Sequence, residues 1–143
     1  MKIEIRSEAY DPWRELSDYQ DQMSPGSYGA TAVFVGTMRD FNEGDDIEAM
    51  WLEHYPGMTE KQLESLGQEA IAQHELLDLL ILHRVGEVRP NDPIVLVAAW
   101  SAHRKASFDA SREVMEKLKS VATFWKKEQL RASARWVEKN TPG

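Results

Sequence analysis

The stretch IVLVAAWSA, residues Ile94–Ala102, is the most hydrophobic part of the chain and predicts the strand on which the fold is built. Its apolar residues run without a break from Ile94 to Trp100, which is typical of a strand that is covered on both faces. The run is too short for a membrane-spanning helix, which needs about 20 such residues. We therefore expect this strand to lie in the centre of a sheet.

Helical spacing follows this strand directly. Five residues are separated by steps of three and four, which predicts one helix with these residues on its apolar face: Phe108, Ser111, Met115, Leu118 and Ala122. Two further helices are predicted upstream. One covers Pro12–Met23 with Asp11 as its N-cap, and the other runs from a capping box, Thr59 with Gln62, to about Gln73.

The remaining segments read as strands and turns. The sequence predicts an edge strand at Met1–Ile5, a buried strand at Tyr28–Val35, strands at Ile47–Tyr55 and Leu76–Val85, a last strand at Trp136–Val137, a polar loop at Gly36–Asp46 and a turn at Gly86–Pro93. This order of elements predicts a single α+β domain over residues 1–143, with a mixed or antiparallel sheet packed against two or three helices.

Composition excludes several classes of chemistry. The 143 residues contain no cysteine, so the chain has no disulfide, no thiolate nucleophile and no cysteine-bound metal cluster. The four histidines show no metal-ligand spacing, and neither GxGxxG nor GxxxxGK[ST] occurs, so we predict no metal site and no cofactor. The first residues lack the apolar stretch of a signal peptide, and we expect a cytoplasmic protein without membrane partners.

Charge is distributed unevenly along the chain. Residues 1–100 carry a net charge of −12 and residues 101–143 a net charge of +5. This division favours a local anion site in the C-terminal third, although the same cations also fit solvated helix faces. A single-strand nucleic-acid module would use the basic, aromatic C-terminal third, but the acidic remainder argues against it.

Two polar segments follow predicted strands. Ser101-Ala102-His103-Arg104-Lys105 lies where the central strand ends and a helix begins, so free backbone N–H groups and three cationic side chains meet there. Such a place suits a phosphate or carboxylate. Gly36-Thr37-Met38-Arg39-Asp40 follows another strand and offers the planar guanidinium of Arg39. In both segments, simple exposure of the cations is the alternative.

A third segment contains paired lysines. Lys119 follows Met115 by one helical turn at the edge of the apolar face, where a lysine can be partly desolvated and act as a base, acid or nucleophile. Lys126-Lys127-Glu128 comes seven residues later, after Phe124 and Trp125, which offer an apolar wall or a stacking surface. The alternative is an ordinary amphipathic helix that ends in lysines.

Four strings of residues together resemble one known family. In order they are LEHYPGMTEK (Leu52–Lys61), HRVGEVRPND (His83–Asp92), SAHR (Ser101–Arg104) and FWKKE (Phe124–Glu128). The chain resembles the large, catalytic subunit of molybdopterin synthase, over roughly residues 29 to 138. The resemblance implies an α/β hammerhead-type fold and a homodimer that binds a small ubiquitin-like sulfur-carrier subunit at each end, as a heterotetramer.

The resemblance also implies a reaction. The family converts cyclic pyranopterin monophosphate to molybdopterin by adding two sulfurs, which come from the thiocarboxylated C-terminus of the small subunit. It implies Lys119 and Lys126 as catalytic residues and the following substrate-binding positions: Thr37, Met38, Arg39, His103, Arg104, Lys119, Lys126, Lys127 and Glu128. The alternative is a catalytically inactive scaffold that binds a ubiquitin-like partner.

Overall fold

A computed structural model describes residues 1–42, 45–130 and 134–136 of the chain. In chain order these residues form β1 (Lys2–Arg6), α1 (Pro12–Gln20), β2 (Ala30–Thr37), β3 (Phe41–Asn42), β4 (Asp45–His54), α2 (Met58–His74), β5 (Asp78–Arg84), β6 (Gly86–Val88), β7 (Pro93–Ser101), α3 (Arg104–Ser120), β8 (Phe124–Leu130) and β9 (Ala134–Trp136). The predicted α+β class is confirmed, with the strands divided between two sheets.

The first sheet has the predicted central strand at its centre. Its order is β1-β5-β7-β2, in which β1 runs parallel to β5 and the other pairs are antiparallel. Residues 96–100 of β7 are fully buried, because helices cover both faces of the sheet. On one face, α2 and α3 pack through Leu63, Ala110 and Val114, and on the other α1 packs near Trp100.

The second sheet is built around β4, which pairs with β3 and β6 and, along its length, with β8. β8 in turn pairs with β9. Where this sheet meets the first, a small apolar cluster forms from Met38, Met50, Leu52, Val85 and Val88, with Phe124 packed against it. This cluster, which we call the junction cluster, fixes the end of β2 beside the start of β8.

The predicted first helix and its cap are confirmed, although the helix ends at Gln20 rather than Met23. The Asp11 carboxylate accepts hydrogen bonds from the backbone N–H groups of Trp13 and Arg14, at 3.0 and 3.4 Å. These bonds satisfy two of the N–H groups that a helix leaves without partners at its start.

The capping box predicted at Thr59 is wrong. The N-cap of α2 is Gly57, and the Glu60 carboxylate accepts a hydrogen bond from its N–H at 3.1 Å. Thr59 is instead fully buried, and its hydroxyl accepts from the Tyr55 N–H and donates to the Thr123 carbonyl, both at 2.9 Å. The hydroxyl therefore connects the end of β4, the start of α2 and the start of β8.

The prediction of a buried strand at Tyr28–Val35 is also wrong in part. β2 is the edge strand of its sheet, and its residues Val33 and Phe34 are exposed. The apolar composition of a segment indicates that it suits a strand. It does not indicate whether a neighbouring strand lies on each side of that strand. The predicted polar loop at Gly36–Asp46 contains the end of β2, all of β3 and the start of β4, since polar residues join a ladder when partner backbone lies opposite.

The apolar face predicted for α3 is displaced. Phe108 is 65% exposed, whereas Ser107, Ala110 and Val114 are buried against the first sheet. These smaller side chains allow the helix to approach the sheet closely, so they and not the larger ring face the core. Met115 and Leu118 are buried as predicted.

Smaller differences concern single residues and short segments. Met58 and Trp51 are 48% and 47% exposed, although large apolar side chains are more often buried. The predicted turn at Gly86–Pro93 begins with the short strand β6. In the last strand, Val137 lies outside the described residues. Within those residues, no helix has the length and apolar character that crossing a membrane requires.

Candidate active site

Strand β8 divides the predicted Lys126-Lys127-Glu128 segment between two sides of the second sheet, because successive side chains of a strand point to opposite faces. Phe124 and Glu128 are on the side of the junction cluster, and Lys126 shares their side. We call these three residues the inner face. Trp125 and Lys127 are exposed on the outer face.

Of the two lysines that the resemblance implies as catalytic, Lys119 and Lys126, Lys126 is the desolvated one. It lies opposite Leu52 of β4, between Phe124 and Glu128 on its own strand. Burial lowers the pKa of Lys126, the positive charge of Lys119 lowers it further, and the Glu128 carboxylate acts in the opposite direction. A lysine with a lowered pKa is a better proton acceptor near neutral pH than an ordinary surface lysine.

Lys119 lies one residue before the end of α3 and is exposed. The prediction that the Lys119 side chain is partly desolvated is therefore wrong, because the desolvated lysine of the two is Lys126. The charge of Lys119 acts on both Lys126 and His83, which places the C-terminal end of α3 beside the inner face. The structure thus brings together the two lysines that the sequence predicts to be catalytic.

Glu128 is an acidic residue on the inner face and is only 4% exposed. A buried carboxylate is stable when cations or hydrogen-bond donors lie near it. Its effect on Lys126 shows that the two side chains are within electrostatic range. The inner face and the neighbouring Lys119 therefore combine two lysines with a buried carboxyl group.

His83 is not among the site residues that the resemblance implies, and the structure places it beside the inner face. Its ring stacks on Phe124, with 3.8 Å between ring centroids and 13° between the planes. Its Nδ1 lies 2.8 Å from the Arg84 carbonyl oxygen. Burial lowers the pKa of His83 to about 4, with smaller effects from its neighbours, so the ring is neutral at pH 7.

His54 was missed in the same way. It is paired in register with Phe124 on β4, and its Nε2 lies 3.8 Å from the Glu60 carboxylate. Each histidine lies in one of the strings that carry the family resemblance and at or next to the end of a strand, and these two signals in the sequence point to them.

The Thr37–Arg39 segment leaves the first sheet beside the inner face. Met38 is 5% exposed and belongs to the junction cluster, while Thr37 and Arg39 on either side are exposed. The Met38 N–H donates to the Asp92 carbonyl at 2.9 Å. Met38 therefore acts as an anchor, and Arg39 is the residue of this segment whose charged group is available to a ligand.

His103 and Arg104 lie away from the lysines. His103 is the N-cap of α3 and Arg104 its first residue, and both are exposed. Arg104 and Lys119 are fifteen residues apart on one helix, which corresponds to about 22 Å along its axis at 1.5 Å per residue. One copy of the chain therefore does not bring all the predicted site residues together.

Lys127 is also separated from the inner face. It is directly opposite Trp51 on one side and Trp136 on the other, and its ammonium nitrogen is 5.7 Å from the centre of the Trp136 ring. Together with Trp125, these residues form an exposed aromatic surface with a cation at its centre. This surface is on the opposite side of β8 from Lys126.

The described residues contain no group of three histidine, aspartate or glutamate side chains placed to hold a metal ion. The inner face, together with Lys119 and His83 beside it, supplies a desolvated lysine, a second lysine, a buried carboxylate and a flat aromatic wall.

Known proteins resemble this chain over nearly its whole length. A family model described as MoaE protein matches residues 8–121. The molybdopterin synthase catalytic subunit of Pseudomonas aeruginosa is 49% identical over 138 residues, which cover 96% of this chain and 91% of that protein.

Solved structures show the same similarity. The molybdopterin biosynthesis MoaE protein from Burkholderia ambifaria is 40% identical, with a TM-score of 0.81 and coverage of 99% of this chain and 92% of that one. Molybdopterin synthase from Staphylococcus aureus is 30% identical, with a TM-score of 0.84 and coverage of 94% and 95%.

Proposed function

Because the chain belongs to the MoaE protein family, we propose that it is the catalytic subunit of a molybdopterin synthase. In this reaction cyclic pyranopterin monophosphate receives two sulfurs and becomes the dithiolene of molybdopterin. The observation that carries the proposal is the pairing of Lys119 with a desolvated Lys126 on the inner face of β8. These are the two residues that the sequence resemblance implies as catalytic.

The sulfur must come from outside the chain. The chain has no cysteine, so it cannot carry a persulfide of its own. We propose that the donor is a small ubiquitin-like carrier subunit whose C-terminus ends in a thiocarboxylate. That C-terminus would enter beside Lys119, whose positive charge attracts the negative charge of the thiocarboxylate.

The two lysines have different surroundings and therefore different proposed roles. Lys119, exposed at the end of α3, is the main catalytic lysine near the end of the carrier. Lys126, whose pKa is lowered by burial, assists by taking up and returning a proton or by stabilising an intermediate. The planar wall formed by Phe124 with His83 suits a flat pterin ring.

The phosphate of the substrate requires cations, and we propose that two copies of the chain supply them. Arg39 lies beside the inner face of its own chain. His103 and Arg104 lie about 22 Å from Lys119 on α3, so they serve the site of a second copy. A twofold axis that sets two α3 helices antiparallel would bring the start of one beside the end of the other.

The surface around α3 supports this homodimer. β2 is an edge strand with exposed Val33 and Phe34, and Phe108 is exposed on α3 itself. Exposed apolar groups near an open strand edge are typical of a surface that is covered in an assembly. One carrier subunit at each site then gives a heterotetramer. We place the reaction in the cytoplasm, since a chain without cysteine needs no oxidising compartment.

The decisive experiment is a reconstituted reaction. It contains the purified protein, the thiocarboxylated carrier and cyclic pyranopterin monophosphate, and it measures dithiolene formation. We expect turnover by the unmodified protein and its loss in Lys119→Ala, with Arg112→Ala as a control on the exposed side of the same helix. A stable complex with the carrier but no turnover would instead indicate an inactive scaffold.

A further inference from the structure

His83 is a partly buried titratable group beside the inner face, and the proposed reaction gives it only a place in the aromatic wall. The carbonyl oxygen of Arg84 can only accept a hydrogen bond, so the Nδ1 of His83, at 2.8 Å, carries the proton. The neutral ring is therefore fixed in one tautomer, and its orientation is set by the backbone of β5. A bond of this kind leaves the ring little freedom to rotate.

The ring of His83 is placed to cover Phe124. A 3.8 Å centroid distance with planes only 13° apart is a full face-to-face stack, whereas aromatic pairs more often prefer offset or edge-to-face arrangements. The anchored histidine thus holds Phe124 against the junction cluster. Phe124 is two residues from Lys126 and on the same face of β8.

The charged groups around His83 come from several elements. Lys119 on α3 and His54 on β4 act on it electrostatically, and Arg84 follows it on β5. Lys126 and Glu128 lie on β8, the strand that carries its stacking partner Phe124. In this cationic surrounding a neutral ring adds no further positive charge beside the lysines. It also occupies space that water would otherwise fill.

We propose that His83 is a positioning residue of the same site, whose neutral ring, anchored on Arg84 and stacked on Phe124, closes the wall that keeps water from Lys126. The inference rests on the proposed function only where it assigns Lys126 a role in catalysis. The effect on Lys126 is a property of the chain alone. It is therefore testable without carrier or substrate.

The test is a titration of the lysine side chains of the free protein by NMR, with the Lys126 signal assigned through Lys126→Arg. We expect His83→Ala to admit water and to raise the pKa of Lys126 toward that of an ordinary lysine. His83→Phe keeps a flat neutral ring over Phe124 but loses the hydrogen bond to Arg84, so the pKa should rise less than in His83→Ala. Phe124→Leu removes the stack while keeping an apolar side chain, and it should also raise the pKa of Lys126.

His74→Ala is the matched control. His74 is the last residue of α2, paired with Glu113 and about 22 Å along the helix from Thr59, next to the site. The His74→Ala variant should leave the pKa of Lys126 unchanged. Cooperative thermal unfolding of each variant verifies that it is folded, and if His83→Ala does not fold, Phe124→Leu and His83→Phe still decide the question.

The proposal is overturned if the pKa of Lys126 is the same in folded His83→Ala or Phe124→Leu as in the unmodified protein. It is also overturned if His83→Phe raises it as much as His83→Ala does, because the ring would then not be the cause. In the reconstituted reaction, the acidic limb of the pH profile should move upward with the pKa, with about a tenfold loss at low pH for each unit. A failure of turnover in every form would refute the proposed function and leave the titration result intact.

Discussion

The hydroxyl of Thr59 is expected to be worth more than its small size suggests. It accepts from the Tyr55 N–H and donates to the Thr123 carbonyl, both at 2.9 Å, and it is fully buried. Thr59→Val has nearly the same shape but leaves both backbone groups without this partner. Each buried polar group left unpaired costs about 1–3 kcal/mol, and since Tyr55 and Thr123 are only partly shielded we expect about 2–3 kcal/mol in total.

Urea unfolding measures this loss. The midpoint should fall while the slope of free energy against urea stays constant, which shows that native stability has changed and the exposed surface has not. Thr59→Ser keeps the hydroxyl and loses one methyl group, so it should cost only about 1 kcal/mol. If the valine variant is no less stable than the serine variant, the two hydrogen bonds contribute nothing and the reasoning is refuted.

Three further predictions follow from other parts of the structure. The pKa of His83 falls from 6.5 in the unfolded chain to about 4 in the folded protein. Its contribution to stability is therefore present above pH 6.5 and is lost as the pH falls toward 4, by a few kcal/mol. Urea unfolding at pH 7 and pH 4.5 should show that the free energy of unfolding falls less in His83→Phe than in the unmodified protein, and equal decreases would contradict this. Gly29→Ala would place a Cβ 2.2 Å from the Ala102 carbonyl oxygen, whereas the Cβ of Gly26→Ala meets nothing within 4 Å and adds only backbone strain. The melting temperature should therefore fall more in Gly29→Ala than in Gly26→Ala. The reverse order would show that the backbone at the start of β2 and the end of β7 adjusts freely. Lys126→Ala should reduce dithiolene formation far more than Lys127→Ala, because the two side chains lie on opposite faces of β8; equal losses would show that Lys127 reaches the substrate.

The fold was most predictable where one local effect determines it. The unbroken apolar run of β7 could only be a covered strand, and Asp11 before Pro12 marked the start of α1 through hydrogen bonds within one turn. Phe108 shows the limit of such reasoning. Helical spacing is compatible with two neighbouring faces, and the choice between them was made by how closely Ala110 and Val114 allow the helix to approach the sheet.

The candidate site was predictable in composition and less so in arrangement. The sequence predicted both lysines, but it assigned the desolvation to Lys119, because the wall that buries Lys126 comes from β4 and β5, distant in sequence. His83 escaped notice for the same reason, since its partner Phe124 is forty-one residues away. The separation of Arg104 from Lys119 follows from helix geometry once the bounds of α3 are known.

The alternation of β8 also determines which length changes this chain can tolerate. Inserting or deleting one residue between Phe124 and Lys126 would exchange the environments of Lys126 and Lys127, so that Lys127 would enter the wall and Lys126 would lie beside the tryptophans. A change of two residues would restore the facing but shift the pairing with β4. The segment is therefore constrained in length as strictly as in composition, and a homologue with a gap at this place would be expected to have lost the reaction even if both lysines remained.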